Sequence, residues 1–176
     1  MIGLFSEEKW NGCYVKAAEE KDMEPVTALL KKSAAWLKEK GVSQWTYLLH
    51  AENNEEIPKD ILAGNTYVVK KDNKYVATFT IYEEPSEWDY ELWKDNLKDA
   101  YYLHRFTVNR TYKNQNVGSE LLQWIIAHLE GKDCLRLDCV ADNKILNEFY
   151  LQAGFTLKAY KNYGTDKMSL YEKQLW

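Results

Sequence analysis

The chain contains no run of apolar residues approaching the roughly 18 needed to cross a bilayer, and residues 1–16 lack the basic start and apolar stretch of an export signal. Neither insertion nor export is expected, and no membrane partner. Cysteine is scarce. Cys13, Cys134 and Cys139 are odd in number and have neither CxxC nor metal-ligand spacing, so reduced thiols in a cytoplasmic protein without a metal site are expected. Basic residues never cluster beyond pairs such as Lys31 and Lys32 or Lys70 and Lys71, and the net charge is -4. That argues against a nucleic-acid partner held through phosphate contacts. The mild acidity serves solubility and would weakly suit a cationic acceptor. No repeat, low-complexity tract or Pro/Gly/Ser-rich linker marks a boundary.

What is present is a globular balance: 45% apolar and 28% charged residues over 176 positions, enough for one hydrophobic core and one domain. Residues 13–18 read as a first strand. Pro25 then opens a helix whose Val26, Leu29, Leu30, Ala34 and Leu37 recur at three- and four-residue spacing, with Gly41 as its stop. A helical turn is expected at 58–62. Strands at 66–70 and 75–82 are joined through Asp72 and Asn73 as a hairpin. Residues 83–99 mix Trp88, Tyr90, Trp93 and many charges without clean periodicity, so a long connection with one helical turn at most is expected.

A strand at 101–108, a polar loop at 109–116 and a helix at 117–129 follow; then come a strand at 135–141, a helix at 144–153 closed by Gly154, and strands at 155–160 and 168–174. This order predicts an α/β protein with a mixed sheet and helices on both faces.

The segment from Phe106, Thr107 and Val108 through the polar loop to Val117, Gly118 and Ser119 is a strand running through a turn into an amphipathic helix. The first N–H groups of a helix lack internal partners and its dipole adds partial positive charge, so this corner can bind a pyrophosphate, with Lys113 and Arg110 near it. An ordinary strand-to-helix connection would look the same. The segment resembles the acyl-CoA loop of the GNAT acetyltransferases, whose pattern Arg/Gln-x-x-Gly-x-Gly/Ala falls here on Lys113, Asn114, Gln115, Asn116, Val117 and Gly118. Lys113 replaces the usual Arg or Gln and Asn116 the first glycine; Asn is the non-glycine residue that best tolerates positive φ. A second segment, from Asn143 through Leu146, Phe149 and Tyr150 to Gly154 and Phe155, is similar to the family's Asn-x-x-Ala-x-x-x-Tyr-x-x-x-Gly-Phe, with its spacing intact.

The resemblance covers about residues 101–160 and implies a single GNAT-like domain over 1–176, with a mostly antiparallel mixed sheet. It implies an N-acetyltransferase that moves an acetyl group from acetyl-CoA to an amine acceptor. In that frame Asn143 contacts the pantetheine arm and Tyr150 protonates the departing thiolate. Read without the family, Asn143 is a helix N-cap and Tyr150 a core aromatic. The family also places a backbone N–H against the acetyl carbonyl, here that of Phe106 or Val108, and its base position falls on His104, with Glu83 and Glu84 as competing bases.

Alternation puts Tyr102, His104, Phe106 and Val108 on one side of their strand, and Tyr101, Leu103 and Arg105 on the other. Trp88, Tyr90 and Trp93 are candidates for stacking on an amine-bearing ligand, although most tryptophans in so small a protein must be core. The competing function is a non-catalytic acyl-CoA sensor, which the altered glycine pattern would suit. The C-terminal strand, ending in Leu175 and Trp176, is a candidate for adding to a partner's sheet edge, which would give a homodimer.

Overall fold

The computed structural model describes residues 4–5, 8–42, 45, 55–112 and 115–176. Eight strands form one sheet: β1 (Lys9–Trp10), β2 (Cys13–Ala17), β3 (Thr66–Lys71), β4 (Lys74–Tyr82), β5 (Ala100–Val108), β6 (Cys134–Val140), β7 (Thr156–Tyr163) and β8 (Asp166–Gln174). Their order is β1-β2-β3-β4-β5-β6-β8-β7, and every neighbouring pair is antiparallel except β5 and β6. Among the described residues no helix is long and apolar enough to cross a membrane.

Helices cover both faces, as the α/β reading requires. On one face α4 (Val117–His128) and α5 (Lys144–Gln152) bury Leu121, Ile125 and Tyr150 against Phe79, Leu103 and Leu137. On the other, α1 (Met23–Glu39) and α2 (Glu56–Leu62) pack Val26, Leu30 and Ile61 on Val68, while α3 (Glu87–Trp93) sets Leu92 and Trp93 against Tyr102 and Leu170.

Three expectations are corrected. Residues 83–99 carry a two-turn helix, α3, followed by a 3-10 turn at Lys94–Asn96. Its start is a capping box: Asp89 N–H donates to Ser86 Oγ, and the Asp89 carboxylate accepts from Ser86 N–H. Seven residues are too few to display a helical period, so the aromatic and charged pattern hid it. Second, the C-terminal strand is not an edge. β8 lies between β6 and β7 and spends its hydrogen bonds on both, which leaves β7 as the exposed edge of that end of the sheet.

Third, β5 does not alternate as a plain strand. Thr80 pairs with His104 and Thr78 with Thr107, so three steps on β5 oppose two on β4. The extra residue is a β-bulge at Arg105, whose φ is 48°. The bulge reverses the alternation beyond it. His104 and Arg105 both face the α1–α3 side, where Arg105 pairs with Asp60 of α2, whereas Phe106 and Val108 pack with the α4–α5 core. His104 and Phe106 therefore lie on opposite faces.

Asp60 is 7% exposed and also accepts from the Tyr82 hydroxyl at 2.5 Å, so α2, β4 and the bulge meet on one carboxylate. Removing one member of a buried ion pair strands the other charge. Asp60→Ala is therefore expected to cost about 3–5 kcal/mol in urea unfolding.

Candidate active site

β5 and β6 are hydrogen-bonded only at their first residues: Ala100 with Cys134, Tyr101 with Leu135, Tyr102 with Arg136. β6 then stays with β8 up to Val140, while β5 stays with β4 up to Val108. The two middle strands thus diverge after Tyr102 and Arg136, and a wedge opens between residues 103–108 and 137–140. The Asn109 N–H donates to Val76 O at 2.8 Å on the β4 side. Strand alternation from that point turns the amides of Val108 and Phe106 toward the wedge.

His104 lines the wedge on the α3 face, with its side chain 16% exposed. Its Nε2 lies 2.8 and 3.0 Å from the Asp89 carboxylate oxygens. An ionised carboxylate only accepts, so Nε2 carries the proton and Nδ1 is the basic nitrogen of the neutral ring. Burial alone would depress the imidazole, but the charge and hydrogen bond of Asp89, with the charge of Asp138, outweigh it and hold His104 above its ordinary 6.5. The Tyr82 ring sits 5.0 Å away.

Asp89 is fixed in its turn by Ser86, through N–H at 3.1 Å and Oγ at 2.9 Å. One carboxylate caps α3 and orients the imidazole, and sequence reading missed it. Its signal was there: Ser86 three residues before Asp89 is a cap spacing, though nothing local points to His104.

Asp138 on β6 was also missed. It enters the wedge from the opposite strand, on the same face as His104, and Trp88 Nε1 donates to its two oxygens at 2.6 and 3.1 Å. Burial and the charge of Asp89 push its carboxyl up to about 6, against the opposing pull of His104 and the Trp88 hydrogen bond. Trp88 packs on Tyr163 with ring centroids 4.2 Å apart.

From the α4–α5 face comes Tyr150, 6% exposed and packed edge-on to Phe149 and Phe155. Burial raises its phenol strongly, with smaller contributions from Cys139 and Asp138, so the hydroxyl stays protonated at working pH. Asn147, one turn earlier, ties α5 to the sheet: its amide donates to Val140 O and Asn143 O, and its oxygen accepts from the Tyr171 hydroxyl at 2.6 Å. Asn143 caps α5, its Oδ1 accepting from Leu146 N–H at 3.1 Å.

At the wide end of the wedge, α4 begins. Asn116 precedes it in the left-handed conformation, φ 56°, and Glu120 N–H is the first to bond back to it. The N–H groups of Val117, Gly118 and Ser119 have no partner within the helix. Asn116→Val would force a β-branched side chain into that conformation and is expected to cost about 1–2 kcal/mol, read as a lowered melting temperature. At Gly118 an added Cβ would meet Val108 Cγ2 at 3.6 Å and Phe149 Cζ at 3.7 Å, ordinary contacts. Neither φ nor packing within the protein demands a glycine there. Gln115 and Ser119 are exposed, and Lys113 and Asn114 lie outside the described residues.

Other sequence candidates are placed elsewhere. Thr107 turns to α1, its hydroxyl 2.5 Å from that of Ser33. Arg110 stacks on Trp36 at 3.7 Å. Glu83 is exposed and its charge bears on Tyr67 and Tyr101, whose rings belong to the α4–α5 face; Glu84 lies 3.5 Å from Lys132. Trp93 is buried in the core with Arg136 stacked over it at 4.2 Å. Tyr90 points out, 49% exposed. The three cysteines are buried and unpaired, and among the described residues no cluster of His, Cys, Asp or Glu could hold a metal.

Known proteins share this construction. The model of the Acetyltransferase (GNAT) family matches residues 45–155. The N-acetyltransferase YesJ of Bacillus subtilis (strain 168) is 36% identical over 170 residues, covering 94% of this chain and 92% of that protein. A GNAT-family acetyltransferase of Listeria monocytogenes 4b F2365, solved by crystallography, superimposes with a TM-score of 0.75 at 29% identity, covering 92% of this chain and 94% of that one. RimL, a ribosomal L7/L12 alpha-N-protein acetyltransferase solved with coenzyme A, shares the fold at a TM-score of 0.64 and 16% identity, covering 94% of this chain and 95% of its own. The chain that carries this parted sheet belongs to the GNAT family of acetyltransferases, enzymes that draw on acyl-CoA.

Proposed function

We propose that the chain transfers an acetyl group from acetyl-CoA to the primary amine of a small molecule or peptide, by direct attack within a ternary complex. The observation that carries this reading is the parting of β5 and β6 at Tyr102 and Arg136. On this reading the gap lets a carboxylate-oriented imidazole from one face and a buried, protonated phenol from the other act together.

The residues around the wedge suit acetyl-CoA. The amides of Val117, Gly118 and Ser119, which have no partner within the helix and lie at the positive end of α4, would take its pyrophosphate, and the sequence candidates Lys113, Asn114, Gln115 and Asn116 precede them in the chain. A glycine at 118 that the protein's own packing does not require lets a ligand approach the helix closely. Phe106, Thr107 and Val108 would flank the pantetheine arm through β5 backbone, and Asn143 through the amide nitrogen that its cap leaves aside. Bound there, acetyl-CoA supplies an activated acyl carbon and a thiol leaving group.

The protein's work is then positioning and proton handling. His104 Nδ1 removes the acceptor's proton, directly or through one water. Asp89 acts through His104 as a positioning residue, keeping Nε2 protonated and the ring oriented. The inward amides of Phe106 and Val108 stabilise charge that develops on the acetyl oxygen. Tyr150 donates its proton to sulfur as the C–S bond breaks. On the acceptor side Trp88 and Tyr163 provide an aromatic wall. Trp93, buried under Arg136, and Glu83, exposed on the far face, lie away from the wedge and take no part in this reading.

The deciding measurement is CoA release, followed with a thiol reagent and corrected for the three cysteines, as polyamines, aminoglycosides, amino acids and short peptides are offered with acetyl-CoA. Amine-stimulated release is expected. A melting temperature raised by acetyl-CoA without release for any amine would instead favour an acyl-CoA sensor, and no thermal shift at all would remove the reading.

A further inference from the structure

The wedge holds a negative charge that the fold leaves uncompensated. Two carboxylates, Asp89 and Asp138, face one imidazole, so a protonated His104 still leaves one net negative charge, and a neutral His104 leaves two. Every element around Asp138 contributes to this balance. β5 presents His104, α3 presents Asp89 and the neutral indole of Trp88, α5 presents the Tyr150 phenol, and β6 itself presents the Cys139 thiol. None of these except His104 can be cationic. Arg105 on the same face pairs with Asp60, and Arg136, two residues before Asp138, gives its Nε to Glu172 and lays its plane on Trp93.

Asp138 is half-buried, and a structural carboxylate drawn that far out of water is normally matched by a Lys or Arg or by several donors, because removing the charge from solvent is otherwise unfavourable. Among the described residues Asp138 has a single donor. Trp88 Nε1 spans its two oxygens, aims the group and leaves most of its acceptor capacity open. The surroundings favour one kind of partner. Tyr82, 5.0 Å from His104, and the Trp88–Tyr163 pair supply aromatic faces, which attract cations and pack on methylene groups.

We propose that Asp138 is the acceptor-anchoring residue, and that the acceptors are aliphatic primary amines that enter as ammonium ions with no carboxylate on the carbon bearing the nitrogen. This rests on the acetyl-transfer reading and specifies its substrate class. The ammonium nitrogen donates to Asp138 beside His104; one of its protons passes to Nδ1, and the freed lone pair faces the thioester. An α-carboxylate would meet Asp89 and Asp138 as like charges, which sets free amino acids against alkylamines.

The test uses the full chain with coenzyme A bound and butylammonium chloride as probe, against sodium chloride at equal ionic strength and against glycine. At pH 8 butylammonium is expected to raise the melting temperature above the sodium control, glycine is not, and Asp138→Asn is expected to abolish the difference while acetyl-CoA still stabilises the variant. The stabilisation by butylammonium requires the carboxylate, so it should appear as pH rises through about 6.

Without amine the sign is opposite. The folded carboxyl binds its proton more tightly than the unfolded one at 3.8, so its favourable contribution is lost as pH rises through about 6. The stability of Asp138→Asn relative to the parent should therefore grow over that interval. Trp88→Phe keeps an aromatic ring and removes the N–H that favours the ionised carboxylate, and should move the butylammonium midpoint to higher pH.

Equal melting temperatures in butylammonium and sodium, a butylammonium effect that survives Asp138→Asn, or an unmoved midpoint in Trp88→Phe would each overturn the proposal. Loss of stabilisation by acetyl-CoA in the parent protein would instead remove the transferase reading beneath it.

Discussion

His104→Gln is expected to lower kcat/KM for acetyl transfer by about 10²–10⁴-fold, the usual worth of a positioned general base, while acetyl-CoA still raises the melting temperature. Glutamine keeps a hydrogen-bond donor for Asp89 but has no basic nitrogen, so orientation and basicity are separated. The pH profile carries the same information. On the proposed mechanism deprotonated His104 is the active form, so the acid limb should lie above the ordinary imidazole value, because Asp89 and Asp138 hold the charged ring more firmly than burial disfavours it. Asp89→Asn removes one of those charges and should move the limb to lower pH. A merely structural role for Asp89 would reduce stability and leave the limb in place.

Tyr150→Phe is expected to reduce kcat by about 10²-fold or more with little change in the affinity for acetyl-CoA. Phenylalanine preserves the edge contacts to Phe149 and Phe155 and the tilted contact to Tyr171, so unfolding should be nearly unaffected. The group lost is the hydroxyl, the proton donor of the proposed mechanism. Because burial holds the phenol protonated far above neutrality, donation to a leaving thiolate costs nothing in prior protonation, and the alkaline limb of the parent profile should not be assigned to Tyr150. A variant with unchanged thiol release would reduce Tyr150 to the core aromatic that its packing also makes it.

In the proposed reaction these two side chains would act from opposite faces of the sheet, and the parting of the strands is what would let them meet. In a continuous sheet, β5 and β6 would be joined along their length and the two faces would be sealed from each other. Parting them after Tyr102 and Arg136 costs ladder hydrogen bonds but opens the backbone edges of residues 103–108 and 137–140. The loss is made good on the outer sides: β5 stays paired with β4, and β6 with β8. The Arg105 bulge adds the local twist and sends His104 and Phe106 to different faces.

Much of this was legible in the chain. The apolar spacing of Val26, Leu30 and Ala34 marks α1, and the same residues are its buried stripe. Asn116 was expected to tolerate a left-handed conformation and adopts it, at the start of the helix expected from residue 117. The Asn143-to-Phe155 spacing marked α5, with Asn143 as its cap and Tyr150 on its buried side. The order of strands and helices was enough for the fold class.

What the chain determined by itself are features decided within a few residues: helical stripes, caps, turn conformations and the sequence of elements, all governed by backbone sterics and local hydrogen bonds. Only the tertiary structure decided which residues share the site. Asp89 meets His104 across 15 positions, Trp88 meets Asp138 across 50, and Arg105 meets Asp60 across 45. The bulge that reverses β5 is stabilised by a carboxylate on another helix. Such pairings depend on where strands part and which faces they turn, and that is settled by the packing of the whole sheet between its helices, which no local pattern encodes.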